Sequence, residues 1–471
     1  MPAPTTQRFR DNSVHALANE QLQRALSNIK RDFVDFRGRA VGELPEYDDL
    51  KRDAKALKDH TLDHLDFYLD RFAHEVEARG GKVHWCSTAE DACAAIAAIC
   101  KARGAKTIAK GKSMVGEEIE LNAYLAREGL VPIETDLGEY IIQLRGETPS
   151  HITAPAIHLT KDDVADTFVA HHHRPRQTEI PALIGEAREI LRPRYQEADV
   201  GLTGANFLVA ETGSSVIITN EGNADLSQCL PRVHIVLASI DKLVPTIEDA
   251  LTMARILART SSGQELTVYT TFSTGPRRPG DPDGPEEFHV VLLDNGRSAL
   301  LGTKQQPMLR CIRCAACLNH CPVYKAVGGH AYGWVYTGPM GAVLTPTMIG
   351  IEHGAALPNA STFCGRCEAV CPMGIPLPAL MREWREREYE RRQSPPAFRY
   401  GLGAWVFVAK RPVLYGLLTR LGAGLLGRLG RRRGRMASLP LAGGWTAGRD
   451  LPAPEGATFR QLWRDGKREA A

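Results

Sequence analysis

The sequence predicts an α/β domain with an open, mostly parallel sheet, followed by a helical cysteine-rich domain and a basic C-terminal region. Three observations support this organisation. Short apolar strands alternate with amphipathic helices between residues 80 and 304. Seven of the eleven cysteines lie within residues 311–371, and beyond residue 394 apolar segments alternate with arginines. A chain of 471 residues is long for one core, which predicts about three structural units.

The composition excludes several classes of protein. A formal net charge of +3 is too close to zero to indicate a nucleic-acid partner. The first residues contain no apolar h-region, so no signal peptide is predicted. No apolar run reaches about 18 residues, so no transmembrane helix is predicted either. Eleven cysteines in a chain of this length favour metal-holding thiolates in a reducing cytoplasm over a disulfide scaffold.

Residues 1–79 are predicted to form a helical N-terminal region. A first apolar stripe recurs at spacings of three and four residues, at Leu22, Leu26, Ile29 and Phe33. A second long helix is predicted to start at Pro45 and to end at Gly80 and Gly81.

Residues 80–304 are predicted to form the α/β domain. Its strands are predicted at 82–86, 107–109, 131–135, 199–203, 207–210, 215–219, 265–272 and 288–293, and residues 233–238 form an apolar run. Its helices are predicted at 88–100, 115–127, 162–170, 180–195 and 247–259. Ser87 or Thr88 caps the first of these helices, with Glu90 placed for a capping box.

Residues 305–393 are predicted to form a domain that binds iron–sulfur clusters. The chain reads C-I-R-C-A-A-C-L-N-H-C-P from Cys311 and C-G-R-C-E-A-V-C-P from Cys364. In C-x2-C-x2-C-x3-C-P, three thiolates hold one cluster and the fourth cysteine serves the other cluster. Zinc bound by separate C-x2-C pairs would leave both C-x3-C-P endings unexplained. The first cluster site is therefore predicted from Cys311, Cys314, Cys317 and Cys371, and the second cluster site from Cys321, Cys364 and Cys367.

The second motif is one cysteine short, because the expected spacing leads back to Ser361. Serine or water as a ligand, a ligand from a partner protein, and a three-iron cluster all remain open there. His320 and His353 lie near in sequence but are not expected to be ligands. The Gly-rich interval 328–346 is predicted to be a covering loop.

Several blocks of sequence resemble those of the lactate utilization protein B family, the iron–sulfur subunit of a bacterial L-lactate oxidation system. The resemblance spans essentially the whole chain, and its blocks are K-G-K-S-M-V-G-E-E-I-E-L-N from Lys110, E-T-D-L-G-E-Y-I-I-Q-L from Glu134, P-S-H-I-T-A-P-A-I-H from Pro149, T-G-A-N-F-L-V-A-E-T-G-S from Thr203, T-N-E-G-N from Thr219 and L-P-R-V-H from Leu230.

This resemblance implies a fold of the CoA transferase and formyltetrahydrofolate cyclo-ligase type for the α/β (LUD-type) domain. It implies two [4Fe–4S] clusters on the seven cysteines, three of them in the second motif. It also implies two companion subunits, one cysteine-rich and one a smaller LUD-type protein, which together with this chain oxidise L-lactate to pyruvate.

Polar residues of the α/β domain suggest further sites. Lys110, Lys112 and Ser113 follow a strand, where an anion site and a solvated loop are equally compatible with the sequence. Asn206 and Glu211 lie at strand ends, a favoured position for sites in open sheets. Glu211 resembles the carboxylate base or nucleophile of the CoA transferases, although a structural turn acid is the preferred interpretation.

The remaining histidines and cysteines favour structural roles. His151 and His158 are interpreted as packed histidines rather than acid–base groups. The tract 171–173 is interpreted as an exposed loop rather than a metal site. Small buried side chains are expected at Cys93 and Cys100, and unreactive thiols at Cys86 and Cys229.

Residues 394–471 form a basic region whose apolar runs are each too short to span a bilayer. A membrane-surface or partner-docking element and a helix packed on the protein body both fit this composition. Residues 437–463, including Trp445, are predicted to be an extended tail.

The sequence thus predicts a cytoplasmic electron-transfer subunit of an L-lactate-oxidising complex, peripheral to the membrane at most and without nucleic acid. Whether the chain is itself an enzyme stays open. A self-contained acyl or CoA-type enzyme with structural clusters and an iron–sulfur redox sensor are the alternatives.

Overall fold

The computed structural model describes residues 4–439, 446 and 449–466. It divides into two compact units, Met1–Arg387 and Glu388–Ala471, and each is described by itself. The first unit contains the N-terminal helices, the α/β domain and the cysteine-rich domain. Trp445, part of the predicted extended tail, lies outside the described residues.

The N-terminal region is helical, as the apolar spacing predicts. Its helices are α1 (Phe9–Ala18), α2 (Glu20–Ser27), α3 (Phe36–Gly42), α4 (Tyr47–Asp63) and α5 (Leu65–Ala78). The first of them pack on the cysteine-rich domain: Gln23 Nε2 donates to Ala326 O at 2.9 Å, and Thr5 N donates to Gly333 O at 3.0 Å. Leu26 and Ile29, two of the predicted stripe residues, are buried in the shared core.

The α/β domain contains two sheets. Their strands are β1 (Lys82–Cys86), β2 (Thr107–Lys110), β3 (Val131–Glu134), β4 (Val200–Thr203), β5 (Phe207–Val209), β6 (Ser214–Thr219), β7 (Val233–Ser239), β8 (Leu243–Val244), β9 (Tyr269–Ser273) and β10 (Glu287–Leu293). The larger sheet has six parallel strands in the order β1-β10-β7-β4-β2-β3. The second, mixed sheet has the order β8-β5-β6-β9. The predicted open parallel sheet is confirmed, whereas the second sheet has no counterpart in the prediction.

Helices cover the parallel sheet, as in other α/β folds. They are α6 (Ala89–Ala102), α7 (Met114–Glu118), α8 (Leu121–Arg127), α9 (Leu137–Arg145), α10 (Lys161–His172), α11 (Ile180–Gln196), α12 (Asn223–Cys229) and α13 (Ile247–Ser261).

Four predictions for these elements need correction. The capping box of α6 pairs Thr88 with Asp91 rather than with Glu90, because the third helical position is the one that reaches back to the cap. The helix predicted over 115–127 is interrupted at Glu120, whose φ of 57° is left-handed. Helices α9 and α12 are absent from the prediction, and the strand predicted over 265–272 begins only at Tyr269.

The cysteine-rich domain is helical, as predicted. Its helices are α14 (Ala316–Asn319), α15 (Pro322–Val327), α16 (Gly338–Ile349), α17 (Ile351–Gly354), α18 (Ala356–Asn359), α19 (Arg366–Ala369) and α20 (Leu377–Glu390). The covering loop predicted over 328–346 is wrong, because its second half forms α16, which is buried from Gly338 to Pro346. A helix that is apolar on all sides packs in a core, and Trp384 Nε1 donates to Val343 O at 3.0 Å against it.

The second unit contains helices α21 (Pro396–Ala409), α22 (Pro412–Gly430) and α23 (Phe459–Arg464), with a short antiparallel pair of β11 (Arg435–Met436) and β12 (Leu451–Pro452). Large apolar side chains on α21 and α22 are exposed, with Val413 at 87%. Across the described residues, no helix is both long and apolar enough to cross a membrane.

Candidate metal centre

The two cysteine motifs share one backbone conformation, offset by 50 residues. In the first motif Arg313 and Ala315, the residues on either side of Cys314, both have a φ of 60°. In the second motif Phe363 and Gly365 flank Cys364 in the same way, with φ values of 54° and 76°. Left-handed backbone is uncommon for residues other than glycine, so its recurrence at matching positions indicates two copies of one loop.

The backbone hydrogen bond of the last cysteine repeats with the same offset, and the sulfur of that cysteine accepts a bond in both motifs. Cys321 N donates to Leu318 O at 3.0 Å, and Cys371 N donates to Glu368 O at 3.1 Å. Each cysteine sulfur then accepts from a backbone N–H at 3.5 Å, that of Tyr324 for Cys321 and that of Ile375 for Cys371.

The repeat extends back to the start of both motifs. Cys311 N donates to Met308 O, and Ser361 N donates to Pro358 O, again 50 residues later. Ser361 thus occupies in the second loop the backbone position that Cys311 occupies in the first.

The four cysteines of the first cluster site line a single cavity in the core of the first unit, together with apolar side chains that include Met340 and Leu377. Three of them come from the first motif, and Cys371 comes from the second. Burial and, to a smaller extent, the nearby Cys371 thiolate together raise the pKa of Cys314 to about 12. Thiols in such surroundings ionise when a metal takes the place of the proton.

The three cysteines of the second cluster site form a separate group nearer the surface. Cys367 is buried and Cys364 is exposed. Burial raises the pKa of Cys367 to about 12, and the thiolates of Cys321 and Cys364 add to the effect. Cys367 also contributes to the raised pKa of Cys317, so the two groups are neighbours.

The donor set fits iron–sulfur clusters. All seven candidate ligands are cysteine sulfurs, the usual ligands of [4Fe–4S] clusters, and the first four surround an apolar cavity. Within the described part of the chain, no three His, Cys, Asp or Glu side chains converge in a group that would hold a single metal ion.

The other candidates for the second cluster site have structural contacts. Ser361 Oγ accepts a hydrogen bond from Phe363 N at 3.1 Å within the loop. His320 Nδ1 bonds to Ala316 O at 2.9 Å, and burial lowers the pKa of this histidine to about 4. The carbonyl oxygen of His353 accepts from the Thr6 hydroxyl.

A buried network of charges lies against the first cluster site. The Arg313 guanidinium is 3.8 Å from an Asp241 carboxylate oxygen and 5.2 Å from the centre of the Tyr336 ring. Arg297, 1% exposed, donates to both oxygens of Glu118 at 3.0 and 2.6 Å and also lies 3.0 Å from Asp241.

Cations outnumber anions in this network. Lys58 Nζ donates to Asp241 O at 2.5 Å, and burial lowers the pKa values of Lys58 and Lys242 to about 8. Burial would raise the pKa of Asp241, but Arg297 and Arg313 lower it well below its ordinary value. None of these roles is visible in the sequence, because the charged residues come from five separate segments of the chain.

The candidate anion-binding residues separate into two groups. Lys110 is fully buried and paired with Glu134 and Glu117, so it has no free charge for a ligand. Lys112 and Ser113 line a cavity at the sheet edge, as does Asn206. Glu211 Oε1 accepts from Ile247 N at 2.7 Å and so secures the start of α13, which favours the structural interpretation.

The histidines of the α/β domain are held by neighbouring groups. His151 is buried, and its Nε2 bonds to Asn319 Oδ1 at 2.9 Å, which joins the α/β and cysteine-rich domains. His158 bonds to Ser150 Oγ and Glu147. In the 171–173 tract, His172 is bonded to Tyr140 and Glu186 rather than exposed.

The isolated cysteines behave largely as expected. Cys86, Cys93 and Cys100 are buried in one apolar cluster of the α/β domain, and burial raises the pKa of Cys93 and Cys100 to about 12. Cys229 is exposed.

Known proteins share this organisation. The LUD domain family matches residues 69–293, and the 4Fe-4S dicluster domain family matches residues 307–375. A protein of Bacillus velezensis named lactate utilization protein B is 40% identical over 98% of both chains. The chain belongs to the lactate utilization protein B family. A family member from Lysinibacillus sphaericus is 41% identical over 96% of both chains. Another, from Geobacillus kaustophilus, is 41% identical over 98% of this chain and 96% of the relative.

Family membership confirms the resemblance stated from the sequence blocks, and the dicluster match supports iron–sulfur clusters in the cysteine-rich domain. A crystal structure of a DUF162 family protein from Deinococcus radiodurans aligns with 49% of this chain and 98% of that protein, at 17% identity and a TM-score of 0.27.

Proposed function

We propose that this protein is the iron–sulfur electron-transfer component of a complex that oxidises L-lactate to pyruvate. The observation that carries the proposal is the cavity closed by three cysteines of the first motif and Cys371 of the second. Crossed ligation of this kind is the arrangement of two-cluster ferredoxins, whose clusters lie close together. The names of the relatives, which refer to lactate utilization, supply the substrate.

In this proposal Cys311, Cys314, Cys317 and Cys371 hold a [4Fe–4S] cluster, and Cys321, Cys364 and Cys367 hold the second cluster. The second cluster has three cysteine ligands, so it is either a [4Fe–4S] cluster completed by another group or a [3Fe–4S] cluster. Ser361 stands at the position of the missing cysteine, and Cys364 brings this cluster to the surface. The two clusters therefore differ in ligand number and in access to solvent.

The chemistry of lactate oxidation suits a pair of one-electron centres. Conversion of L-lactate to pyruvate releases two electrons and two protons, and each cluster carries one electron at a time. The clusters supply only electron transport. The chain itself places the cysteines on two matched loops and surrounds the first site with buried cations, which favour a reduced, more negative cluster.

The partners in this proposal are a cysteine-rich companion subunit and a smaller LUD-type companion subunit.

We place the protein in the cytoplasm, with α21 and α22 as a contact to the inner face of the membrane. Twelve Lys and Arg residues and no Asp or Glu occur between Arg391 and Arg449. Exposed apolar residues on a basic helix favour an anionic bilayer surface.

Electron paramagnetic resonance (EPR) of anaerobic protein tests the electron-transfer role. The spectrum is recorded for the protein alone and with both companions, before and after addition of L-lactate. We expect signals of reduced clusters only when both companions and L-lactate are present, with D-lactate as the control. Clusters that are present but stay oxidised in the complete mixture would refute the role, as would protein that lacks iron and acid-labile sulfide.

Sedimentation with lipid vesicles tests the membrane contact. The full chain is expected to sediment with vesicles rich in anionic lipid and not with neutral vesicles. A triple change of Arg431, Arg432 and Arg433 to Ser should weaken this binding, whereas Arg174→Ser in the α/β domain should not. Equal binding to both kinds of vesicle would exclude the proposed contact.

The structure gives little support to the self-contained enzyme. Its candidate carboxylate, Glu211, secures the start of α13 and does not line the large cavity of the α/β domain. Lactate-independent acyl transfer by the isolated protein, abolished by Glu211→Gln, would favour that alternative.

A further inference from the structure

A large cavity lies at the carboxyl edge of the parallel sheet. It has a volume of about 320 Å³, a size typical of sites for small molecules. The loops that follow β2, β4 and β7 supply Lys112, Asn206 and Lys242 to its wall. Ligands of open α/β folds bind at this edge, because the loops after parallel strands converge there.

Among the described residues, three cations and two acids line this cavity. Lys112, Lys242 and Arg313 line it, and each comes from a different segment of the chain. The acidic groups of the wall are Asp136 and Glu221. Asp136 already accepts a hydrogen bond from Glu139 N at 3.0 Å, where it caps α9.

Within the described residues, Lys112 forms no hydrogen bond and only a long ion pair. Its Nζ is buried and has no hydrogen-bond acceptor within the described structure. The nearest carboxylate oxygen belongs to Glu139 and is 3.8 Å away, beyond hydrogen-bond distance. Burial raises the pKa of Glu139 to about 8, and its Oε1 likewise has no hydrogen-bond partner among the described residues. A buried ammonium without an acceptor is costly, and a bound anion would remove that cost.

The same cavity adjoins the first cluster site. Ile152, Ile312 and Arg313 line both this cavity and the cavity that the four cysteines enclose. A molecule in the larger cavity would therefore be separated from the first cluster by little more than these side chains.

We propose that this cavity binds a small organic monocarboxylate of the 2-hydroxy or 2-oxo acid class, with its carboxylate paired to Lys112 next to the first cluster site. The class of ligand rests on the proposed function, since lactate and pyruvate belong to it. The location rests on the cavity, its charges and the wall that it shares with the cluster site. The substrate or product of the complex thus lies on this subunit, within electron-transfer distance of its first cluster.

Equilibrium dialysis of the anaerobic, cluster-loaded full chain tests this site with isotopically labelled L-lactate, pyruvate and inorganic phosphate. The variant is Lys112→Met, and the matched control is Lys106→Met, which removes an exposed lysine before the opposite end of β2. We expect saturable binding of a carboxylate that Lys112→Met weakens by roughly tenfold or more, since it removes a charged hydrogen-bond partner. Lys106→Met should leave the affinity unchanged.

A second measurement reports the position of the ligand. Bound carboxylate should shift the EPR signal of the reduced first cluster in wild-type protein and in Lys106→Met, but not in Lys112→Met. Iron content and circular dichroism show whether each variant is folded and loaded. If Lys112→Met does not fold, the conservative Lys112→Arg should retain binding and the spectral shift.

Absence of carboxylate binding, unchanged affinity in Lys112→Met, or phosphate binding as tight as that of the carboxylates would overturn the proposal. Failure here is distinct from failure of the proposed function. Clusters that L-lactate reduces in the complete complex, without carboxylate binding to this chain, refute only the site. Carboxylate binding by a chain whose clusters stay oxidised in that complex refutes only the electron-transfer role.

Discussion

The two cluster sites are built on the same backbone loop but have different surroundings. Arg313 in the first loop and Phe363 in the second occupy equivalent left-handed positions, as do Ala315 and Gly365. In the first loop the side chain is a cation within the buried charge network. In the second it is an aromatic ring stacked 4.3 Å from the Arg385 guanidinium. The backbone therefore fixes the cysteine geometry, while ligand number and electrostatics vary independently.

Burial differs between the sites as well. The first site lies within the main apolar core, where Cys314 and Cys371 are buried among residues of both motifs. The second site reaches the surface through Cys364. This contrast predicts that the first cluster, besides carrying electrons, contributes more to the stability of the fold, and that the second cluster is more labile and more accessible.

The largest expected effect comes from removal of each cluster. Cys314→Ser should lower the free energy of unfolding by roughly 3–5 kcal/mol, because loss of the first cluster leaves a cavity and a buried hydroxyl in the core. Cys364→Ser should cost roughly 1–2 kcal/mol, because its surroundings are already hydrated. Anaerobic urea unfolding followed by circular dichroism measures both, and equal losses would argue against the contrast in burial.

A comparable effect is expected from the ion-pair network behind the first site. Arg297→Met leaves Glu118 and Asp241 buried without their main counter-charge, and should destabilise the protein by roughly 3–5 kcal/mol. Arg174→Met, which breaks the exposed pair with Glu189, should cost less than about 1 kcal/mol. Urea unfolding of the two variants under identical conditions compares them, and a small loss for Arg297→Met would show that the network contributes little.

A smaller effect is expected on the reduction potentials. Arg313→Met removes a buried positive charge beside Cys311 and should lower the potential of the first cluster. At an effective dielectric constant of about 20 the change is on the order of 1–2 kcal/mol, roughly 40–90 mV for one electron. Phe363→Leu, at the equivalent position of the second loop, should leave both potentials nearly unchanged. An EPR-monitored redox titration measures this, and an unshifted first potential in Arg313→Met would contradict the electrostatic account.

The smallest effect concerns the missing ligand. Ser361→Cys places a thiol at the position equivalent to Cys311 and should slow loss of iron from the second cluster in air. An oxidised [3Fe–4S] cluster is paramagnetic and an oxidised [4Fe–4S] cluster is not, so EPR of air-exposed protein follows the conversion. Thr362→Cys, one residue away, should give no protection. Equal behaviour of both variants would show that residue 361 does not face the cluster.

The sequence predicts the two cysteine motifs and most strands, because both depend on local patterns. Cysteine spacing identifies the two motifs and the gap at Ser361, and the runs of apolar residues identify the parallel strands. The helix over Gly338–Ile349 escaped prediction, because its glycines and prolines resemble a loop while tertiary burial holds them in a helix.

The features that the sequence does not predict depend on contacts between residues that are far apart in the chain. Asp241, Arg297 and Glu118 meet only when distant segments of the α/β domain fold together, and Arg313 joins them from the cysteine-rich domain. No spacing rule links these residues. The cavity beside Lys112 likewise depends on which loops share the carboxyl edge of the sheet. Lys110 and Lys112 look alike in sequence, yet one is fully neutralised and the other lacks an acceptor.

The central claim is crossed ligation, in which the last cysteine of each motif binds the cluster held by the other motif. Two variants test it most directly. EPR of anaerobic, reduced Cys371→Ser and Cys321→Ser is compared with that of Cys314→Ser and Cys364→Ser. We predict that Cys371→Ser, although in the second motif, loses the same signal as Cys314→Ser, and that Cys321→Ser, in the first motif, loses the same signal as Cys364→Ser. The opposite pairing would contradict this claim: Cys371→Ser would then lack the signal that Cys364→Ser lacks, and Cys321→Ser would lack the signal that Cys314→Ser lacks.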